Sequence, residues 1–85
     1  MKTVELYTTP ICGYCMAAKR LLKSKGVSYS EVNVMLDSTK RAEMTQRANG
    51  GHTVPQIFIG NQHIGGFDDM NALERAGKLD ALLAE

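Results

Sequence analysis

The residues of this chain best suited to chemistry are Cys12 and Cys15, which are separated by two residues. Such a pair can close a small disulfide ring reversibly and so transfer two electrons. A helical pattern begins just after Cys12, so its thiol should face unpaired backbone N–H groups and the positive end of a helix dipole, which favour the thiolate. Because the thiolate is the nucleophile of disulfide exchange, the spacing predicts a reactive thiol at Cys12.

Three other interpretations of the cysteines are weaker. They are the only cysteines in 85 residues, and a disulfide across so short a loop would add little stability. A buried pair of small apolar residues would need Cys12 on the apolar face of the helix, whereas it falls in the preceding loop. His52 and His63 raise the number of potential zinc ligands to four, but no CxxC…HxxxH spacing joins them. We therefore expect both histidines to be ordinary surface residues.

Length, charge and hydropathy narrow the class of protein. Eighty-five residues make one domain, 1–85, and a hydrophobic share of 44% is ordinary for a globular protein. The net charge of +1 gives no reason to expect a nucleic acid partner. The apolar runs are far shorter than the roughly 20 residues of a membrane span, and Met1–Leu6 has no apolar leader. We expect a cytoplasmic protein with no membrane partner. In the reducing cytoplasm a CxxC pair is more often redox-active or metal-binding than structural.

Apolar patterning predicts an α/β chain in which a strand-helix-strand unit is followed by a helix, a hairpin and a last helix. The first unit fits a right-handed parallel crossover. Gly60 and Asn61 form a two-residue hairpin signal. The predicted elements are a strand over 4–8, a helix from 13 to about 25, a strand over 27–34, a helix from 37 or 38 to about 48, strands over 54–59 and 63–64, and a helix starting near 68 with a short terminal turn.

Three motifs carry a resemblance to a known family. They are Cys12–Cys15 (CGYC), Thr53–Ile59 (TVPQIFI) and Gly65–Asp69 (GGFDD), at the expected separations. A CxxC alone would be weak evidence, but the combination is specific. Over essentially its whole length the chain resembles a glutaredoxin of the small bacterial dithiol class. The resemblance implies a thioredoxin-like α/β fold around a four-stranded mixed sheet and a glutathione-dependent thiol–disulfide oxidoreductase activity.

The same resemblance implies a role for each cysteine. Cys12 would attack a glutathionyl mixed disulfide, keep the glutathione moiety and release the substrate thiol. Cys15, one helical turn later, would be the resolving thiol for substrates that need a dithiol step. Glutathione would be the reductant, and glutathionylated proteins and disulfides such as that of a ribonucleotide reductase would be the substrates of a monomeric protein.

The resemblance also implies a glutathione-binding site. A cis Val54–Pro55 bond would turn the Val54 backbone toward the cysteines for strand-like pairing with glutathione, the alternative being an edge-strand proline. N–H groups of Phe67 and Asp68 would hold the γ-glutamyl carboxylate, and the Asp68 side chain would bind the α-amino group while still able to cap the helix. The assigned residues are Tyr14, Arg41, Thr53, Val54, Pro55, Gly66, Phe67 and Asp68.

Two of these assignments have a plain alternative. Arg41 is the candidate cation for the glycyl carboxylate of glutathione, by its distance before Pro55 once one extra residue is allowed in 49–52. Its alternative role is a solvated charge on a helix. Tyr14 would flank the ligand near the glycyl end, and its alternative is a partly exposed aromatic residue in a loop.

One departure from the family pattern concerns charge. Thr9 stands three residues before the nucleophile, where relatives commonly carry a lysine. The loss of that charge should weaken thiolate stabilisation or glutathione binding, unless Lys19, Arg41 or the helix dipole compensates.

Two further departures concern shape. Phe67 stands where many relatives have a small residue or cysteine, which would alter the pocket. Gly13 stands where the common dithiol motif has proline, and relatives with glycine there include members that hold a [2Fe–2S] cluster between two subunits. A glutathione-ligated cluster carrier or sensor, with Cys12 of each subunit as a ligand, is therefore the alternative function. The retention of Cys15 argues against it, because monothiol cluster carriers have serine there.

Overall fold

A central strand leads directly into the segment that holds the two cysteines. The fold is described by a computed structural model over residues 2–84; Met1 and Glu85, the ends of the predicted domain 1–85, lie outside the described residues. The elements are β1 Val4–Thr8, α1 Gly13–Ser24, β2 Ser30–Asn33, α2 Ser38–Arg47, β3 Gln56–Ile59, β4 Gln62–Gly65, α3 Phe67–Arg75 and α4 Leu79–Ala84. The predicted order of strands and helices is confirmed.

The strands form one four-stranded sheet in the order β2-β1-β3-β4. Strand β1 runs parallel to β2, with Leu6 opposite Glu31, and antiparallel to β3, with Leu6 opposite Ile57. Strand β4 runs antiparallel to β3, with Phe58 opposite His63. The four-stranded mixed sheet implied by the resemblance is therefore confirmed.

The strand directions bring four chain segments to the same edge of the sheet. Residues 9–12 follow β1 and residues 34–37 follow the parallel strand β2, while residues 53–55 precede the antiparallel strand β3 and Gly66 follows β4. Because β1 is flanked by β2 and β3, the segment that contains Cys12 lies between the β2 loop and the segment before β3. This edge brings the Cys12–Cys15 motif together with two motifs that begin about 40 and about 50 residues later in the chain.

Alternating side chains of β1 and β3 contribute to two hydrophobic clusters, one on each face of the sheet. The first cluster packs α1, α3 and α4 against one face, and its buried members are Val4, Leu6, Ala18, Leu22, Val27, Ile57, Ile59, Met70, Leu79 and Leu83. The second cluster packs α2 against the other face, and its buried members are Tyr7, Val34, Met44, Ala48 and Phe58. With both faces covered, β1 and β3 are buried almost throughout, and this burial holds the edge that carries the cysteines in place.

Two predicted strands are shorter than the patterning suggested. The second strand begins at Ser30 rather than at residue 27, because the N–H of Val27 donates to the carbonyl of Leu22 and so belongs to the end of α1. The third begins at Gln56 rather than at Val54, after the Val54–Pro55 peptide. In both places alternating apolar residues extend beyond the ladder of backbone hydrogen bonds.

The helical end of the chain also differs slightly from the prediction. Helix α3 begins at Phe67, one residue before the predicted start at Asp68, and the expected terminal turn is the separate helix α4. Gly77 has a φ of 71° between the two helices, a conformation that favours glycine. The apolar residues of both helices still reach the first cluster.

A polar network lies on the α2 face of the sheet, where the Tyr7 side chain is fully buried. The Tyr7 hydroxyl donates to Glu43 Oε2 at 2.6 Å and accepts from an Arg47 N–H at 2.8 Å. Arg47 also binds the Glu5 carboxylate, and its guanidinium lies 4.1 Å from the centre of the Phe58 ring. Burial raises the pKa of Tyr7, and the hydrogen bond from Tyr7 lowers the pKa of Glu43. This network ties α2 to the two central strands.

We predict that Tyr7→Phe lowers the free energy of unfolding by about 1 kcal/mol at neutral pH, since it removes both hydrogen bonds of a buried hydroxyl. A carboxyl whose pKa is lowered by folding stabilises the fold above its unfolded pKa and loses that effect as pH falls through the folded value. The difference in the free energy of unfolding between wild type and variant should therefore become smaller below about pH 4.5, the ordinary pKa of a glutamate such as Glu43.

Urea unfolding of the reduced proteins across pH measures both effects, with Tyr29→Phe as the matched control. Tyr29 is only partly buried, and its hydroxyl makes no hydrogen bond within residues 2–84. Equal losses for the two variants would contradict the role of the network.

Candidate active site

The two cysteines lie at the N-terminus of α1. Cys12 is the N-cap residue in an extended conformation, and its Sγ accepts a hydrogen bond from the Cys15 N–H at 3.1 Å. The pair forms a disulfide with its Cα atoms 5.2 Å apart. Cys12 is half-buried whereas Cys15 is fully buried. The predicted position of Cys12 before the helix is confirmed. Of the two cysteines, Cys12 is the one that remains partly exposed and open to attack.

The segment before β3 approaches Cys12 directly. The Val54–Pro55 bond is cis, as the resemblance implied. The Val54 carbonyl oxygen lies 3.8 Å from Cys12 Sγ, although the two residues are 42 positions apart. In the oxidised pair this contact is simple proximity, because the sulfur carries no hydrogen; a reduced Cys12 thiol would be able to donate to that oxygen. The backbone of Val54 therefore borders the reacting atom.

A cleft of about 530 Å³ opens beside this contact. Its walls come from the start of α1, from the segment before β3, and from the end of β4 with the start of α3. Seven of the eight predicted glutathione-binding residues line it, namely Tyr14, Thr53, Val54, Pro55, Gly66, Phe67 and Asp68. The cleft has the size of a small-molecule site, and its walls combine apolar side chains with backbone polar groups.

The start of α3 forms one end of the cleft. Gly66 is the N-cap, and its N–H donates to Asp69 Oδ2 at 3.0 Å, so Asp69 supplies the capping side chain. A side chain at Gly65, whose φ is 115°, would collide with that carboxylate. The exposed Asp68 carboxylate makes no hydrogen bond or ion pair within residues 2–84. The N–H groups of Phe67 and Asp68 belong to the first helical turn, which has no intrahelical acceptors for them. This end can bind a carboxylate and an amine side by side.

Two aromatic rings flank the mouth of the cleft. Tyr14, 64% exposed in the first turn of α1, stacks on Phe67 with ring centres 6.5 Å apart and planes at 25°. The departure at Phe67 thus provides a partner for Tyr14 and links the first turns of α1 and α3. The two rings form part of the cleft wall. Tyr14 is thus a helical residue packed against Phe67, not an aromatic residue in a loop.

The sequence profile of the glutaredoxin family matches residues 4–64 of this chain. The chain belongs to the glutaredoxin family. It is 54% identical over 84 residues to the glutaredoxin of Pseudomonas aeruginosa, covering 99% of both chains. It is also 54% identical over 83 residues to glutaredoxin 3 of Escherichia coli K12, covering 98% of this chain and 99% of that one.

A solved structure of a buckwheat glutaredoxin–glutathione complex aligns with a TM-score of 0.87 at 32% identity, covering 94% of this chain and 74% of that one. The thioredoxin-like fold implied by the resemblance is confirmed. This glutaredoxin is a glutathione-dependent disulfide oxidoreductase. No helix within residues 2–84 is long and apolar enough to span a membrane.

Neither of the two basic residues considered as substitutes for the missing lysine contacts Cys12. The Lys19 ammonium lies 3.0 Å from Glu31, a carboxylate that also accepts a 2.6 Å hydrogen bond from the Thr8 hydroxyl. The Thr8 bond, with help from Lys19, lowers the pKa of Glu31 and keeps it charged. Arg41 donates to the carbonyl oxygen of His52 at 3.1 Å and does not line the cleft. The helix N-terminus is thus the thiolate-stabilising group that touches Cys12 within the described residues.

Five residues that line the cleft were not among those assigned to glutathione binding from the sequence, namely Gly51, Gln56, His63, Gly65 and Asp69, although Gln56, Gly65 and Asp69 lie in the motifs that carry the resemblance. The expectation that His63 is an ordinary surface residue is wrong: it lies on β4, is partly buried and is hydrogen-bonded to Gln56. Its partner in the fold is seven residues away across the hairpin, so the residue type alone gave no signal. Gln56 could have been placed near the cleft from the sequence, because it directly follows Pro55 within the second motif. His52 is exposed, as expected.

We predict that Thr9→Lys stabilises the thiolate of reduced Cys12, because a cation three residues away acts on it through a mostly aqueous path. At such a distance the interaction is worth a factor of about two to five in the thiolate equilibrium. The ultraviolet absorbance of the thiolate, followed against pH, should persist to lower pH in the variant. Thr39→Lys on α2, which makes the same charge change at an exposed position, is the control. An identical curve for Thr9→Lys and wild type would show that Thr9 does not limit the thiolate.

Proposed function

We infer that this glutaredoxin reduces protein–glutathione mixed disulfides and small disulfides, with Cys12 as the nucleophile and Cys15 as the resolving thiol. The observation that carries this assignment is the asymmetry of the pair. Cys12 is half-buried and its Sγ accepts a helix N–H, whereas Cys15 is fully buried. A thiolate held in this way can attack from outside, and the buried thiol can react only with a disulfide already formed at Cys12.

The reaction follows from these positions. The Cys12 thiolate attacks the glutathione sulfur of a mixed disulfide, so that a Cys12–glutathione bond forms and the substrate leaves as a thiolate that takes up a proton. A second glutathione thiolate then attacks the glutathione sulfur on Cys12, which restores the Cys12 thiolate and releases glutathione disulfide. For a protein disulfide, the Cys12 thiolate attacks one sulfur and releases the other as a thiolate; the Cys15 thiolate then attacks Cys12 Sγ, which frees the second substrate thiolate and closes the Cys12–Cys15 disulfide. One glutathione thiolate reopens that disulfide by bonding to Cys12, and a second removes it as glutathione disulfide. Glutathione supplies the electrons in either route.

The cleft supports a defined orientation of glutathione. The γ-glutamyl carboxylate binds the N–H groups of Phe67 and Asp68, and the free Asp68 carboxylate binds the α-amino group. The cysteinyl backbone of glutathione pairs with Val54, whose carbonyl already lies beside Cys12 Sγ. Tyr14 flanks the tripeptide, with Thr53, Pro55 and Gly66 completing the cleft walls.

Arg41 remains the proposed cation for the glycyl carboxylate. Its guanidinium donates to the carbonyl oxygen of His52, the residue before the cleft-lining Thr53. A guanidinium has five N–H donors, and those not used by His52 are available to a carboxylate. The side chain would have to extend past residue 53 to reach the ligand.

The surface around Cys12 suits protein substrates. The exposed large apolar side chains of residues 2–84 are Ile11, Tyr14, Met16, Met35 and Leu36. Four of them lie within two residues of Cys12 in the chain or in the 34–37 loop at the same edge of the sheet, so they are apolar side chains available to a docking protein. We assign glutathionylated proteins and protein disulfides, such as that of a ribonucleotide reductase, as substrates of a one-domain monomer. We propose a cytoplasmic location, because glutathione is kept reduced there.

A glutathione-ligated [2Fe–2S] cluster is the second candidate function, favoured by Gly13 and by the accessible Cys12 sulfur. Residues 2–84 contain no group of three His, Cys, Asp or Glu side chains able to hold a metal ion. One chain thus offers one accessible thiolate, and a cluster would need Cys12 from two copies together with two glutathiones. Anaerobic reconstitution with iron, sulfide and glutathione tests this: a coloured dimer supports the cluster, and a colourless monomer rules it out.

The reductase function predicts a clear difference between two cysteine variants. Cys12→Ser should lose turnover entirely, because the nucleophile is gone. Cys15→Ser should keep reduction of a glutathionylated peptide while losing reduction of a protein disulfide, because only the second needs the resolving thiol. NADPH consumption coupled through glutathione reductase measures the first activity, and thiol release from a protein disulfide measures the second. Glutathione-dependent turnover by Cys12→Ser would contradict the assignment.

A further inference from the structure

A buried amide lies beneath the glutathione cleft. The Gln56 side chain, 5% exposed, donates from Nε2 to the Thr53 carbonyl at 3.1 Å and lies 3.5 Å from Thr53 Oγ1. Its other end, Oε1, lies 2.7 Å from His63 Nε2. Both ends of the amide are therefore engaged, one with the segment before β3 and one with β4.

The direction of these hydrogen bonds follows from chemistry. The Thr53 carbonyl oxygen can only accept, so the amide nitrogen of Gln56 must face it, and Oε1 must face His63. His63 Nε2 must then carry a hydrogen, as it does in one neutral tautomer and in the charged ring. A His63 that donates from Nε2 consequently selects the one amide orientation that donates to Thr53.

The neighbours of this pair leave it little freedom. The His63 ring packs on Phe58 with ring centres 5.1 Å apart, and these residues are opposite each other in the β3–β4 ladder. On the other side, a Cβ at Gly51 would lie only 3.0 Å from Gln56 Nε2, so glycine there leaves just enough room for the amide. The ring and the amide are held by the sheet on one side and by the 49–53 loop on the other.

We propose that His63 and Gln56 are positioning residues for the glutathione half of the substrate, acting through Thr53 and Val54. The chain of contacts runs from His63 to Gln56 to Thr53, and the next residue, Val54, places its backbone beside Cys12 Sγ. Strand-like pairing with glutathione requires that backbone at a fixed position, and a shift of about 1 Å would misalign it. The proposal rests on the glutathione-binding role of the cleft proposed above, and it assigns to these two residues no part in thiol chemistry.

His63→Phe tests the proposal, because it keeps a ring on Phe58 and removes the donor to Gln56. The loss of one buried hydrogen bond predicts a KM for a glutathionylated peptide about three- to tenfold higher, with kcat changed less than about twofold. The weakening should also appear in glutathione binding, followed by backbone amide chemical shifts without turnover. His63→Gln, which restores an N–H donor, should recover most of the affinity. Gln62→Ala, an exposed neighbour on β4, is the control and should match wild type.

A purely structural role for His63 would change a different set of measurements. It would reduce kcat along with the affinity and shift the pH dependence of Cys12 alkylation by iodoacetamide, whereas the unfolding temperature falls under either role because a buried hydrogen bond is lost. The proposal requires that the alkylation profile of His63→Phe match wild type, and that His63→Phe combined with Gln56→Met raise KM no more than Gln56→Met alone. If His63→Phe does not fold, Gln56→Met alone must show the same rise in KM.

Unchanged glutathione binding in His63→Phe or Gln56→Met would overturn the proposal, as would a failure of His63→Gln to recover affinity. A wild-type protein that binds glutathione but does not turn over would contradict the reductase function alone. The binding comparison among the variants would still decide the role of His63 and Gln56.

Discussion

The site depends on the position of β1 between a parallel and an antiparallel neighbour. That arrangement brings the end of β1, the start of β3 and the end of β4 to one edge of the sheet. Cys12, Val54 and Gly66 are therefore neighbours although they are far apart in sequence. The strand stays in place because both of its faces are buried, one against α1, α3 and α4 and the other against α2. A local change at Cys12 would alter the chemistry, whereas a shift of β1 would dismantle the cleft.

Backbone groups, more than charged side chains, surround the reacting sulfur. The Cys15 N–H donates to Cys12 Sγ, the Val54 carbonyl lies beside it, and the first turn of α3 offers unpaired N–H groups. The nearby cations are occupied elsewhere, since Lys19 binds Glu31 and Arg41 binds a carbonyl. Backbone dipoles are held by secondary structure and need no ordering of long side chains, so they form a site that is ready before the ligand arrives. Backbone dipoles therefore offer thiolate stabilisation to Cys12 at a site where Thr9 supplies no charge.

Two polar networks support the central strands from different directions. On the α2 face, Tyr7, Arg47 and their two carboxylate partners hold the helix to β1. Under the cleft, Gln56 and His63 join β3, β4 and the segment that carries Val54. No buried side-chain nitrogen or oxygen within residues 2–84 lacks a hydrogen-bond partner. Satisfied buried polar groups favour one arrangement of the elements over near alternatives, which apolar packing alone discriminates less well.

The sequence by itself determined the order of the elements, the reactive cysteine at a helix start and, through three motifs, the family. These properties are local: hydrophobic period, capping position and turn composition act over a few residues, so they can be read along the chain. The boundaries of β2 and β3 were less accurate, because alternation marks burial and continues where the hydrogen-bond ladder stops. Only the tertiary structure decided that Arg41 binds the His52 carbonyl without lining the cleft, that Phe67 stacks on Tyr14, and that His63 reaches Gln56. Each of these contacts joins elements that become neighbours only once the sheet has formed, and for that physical reason no pattern in a single sequence records them.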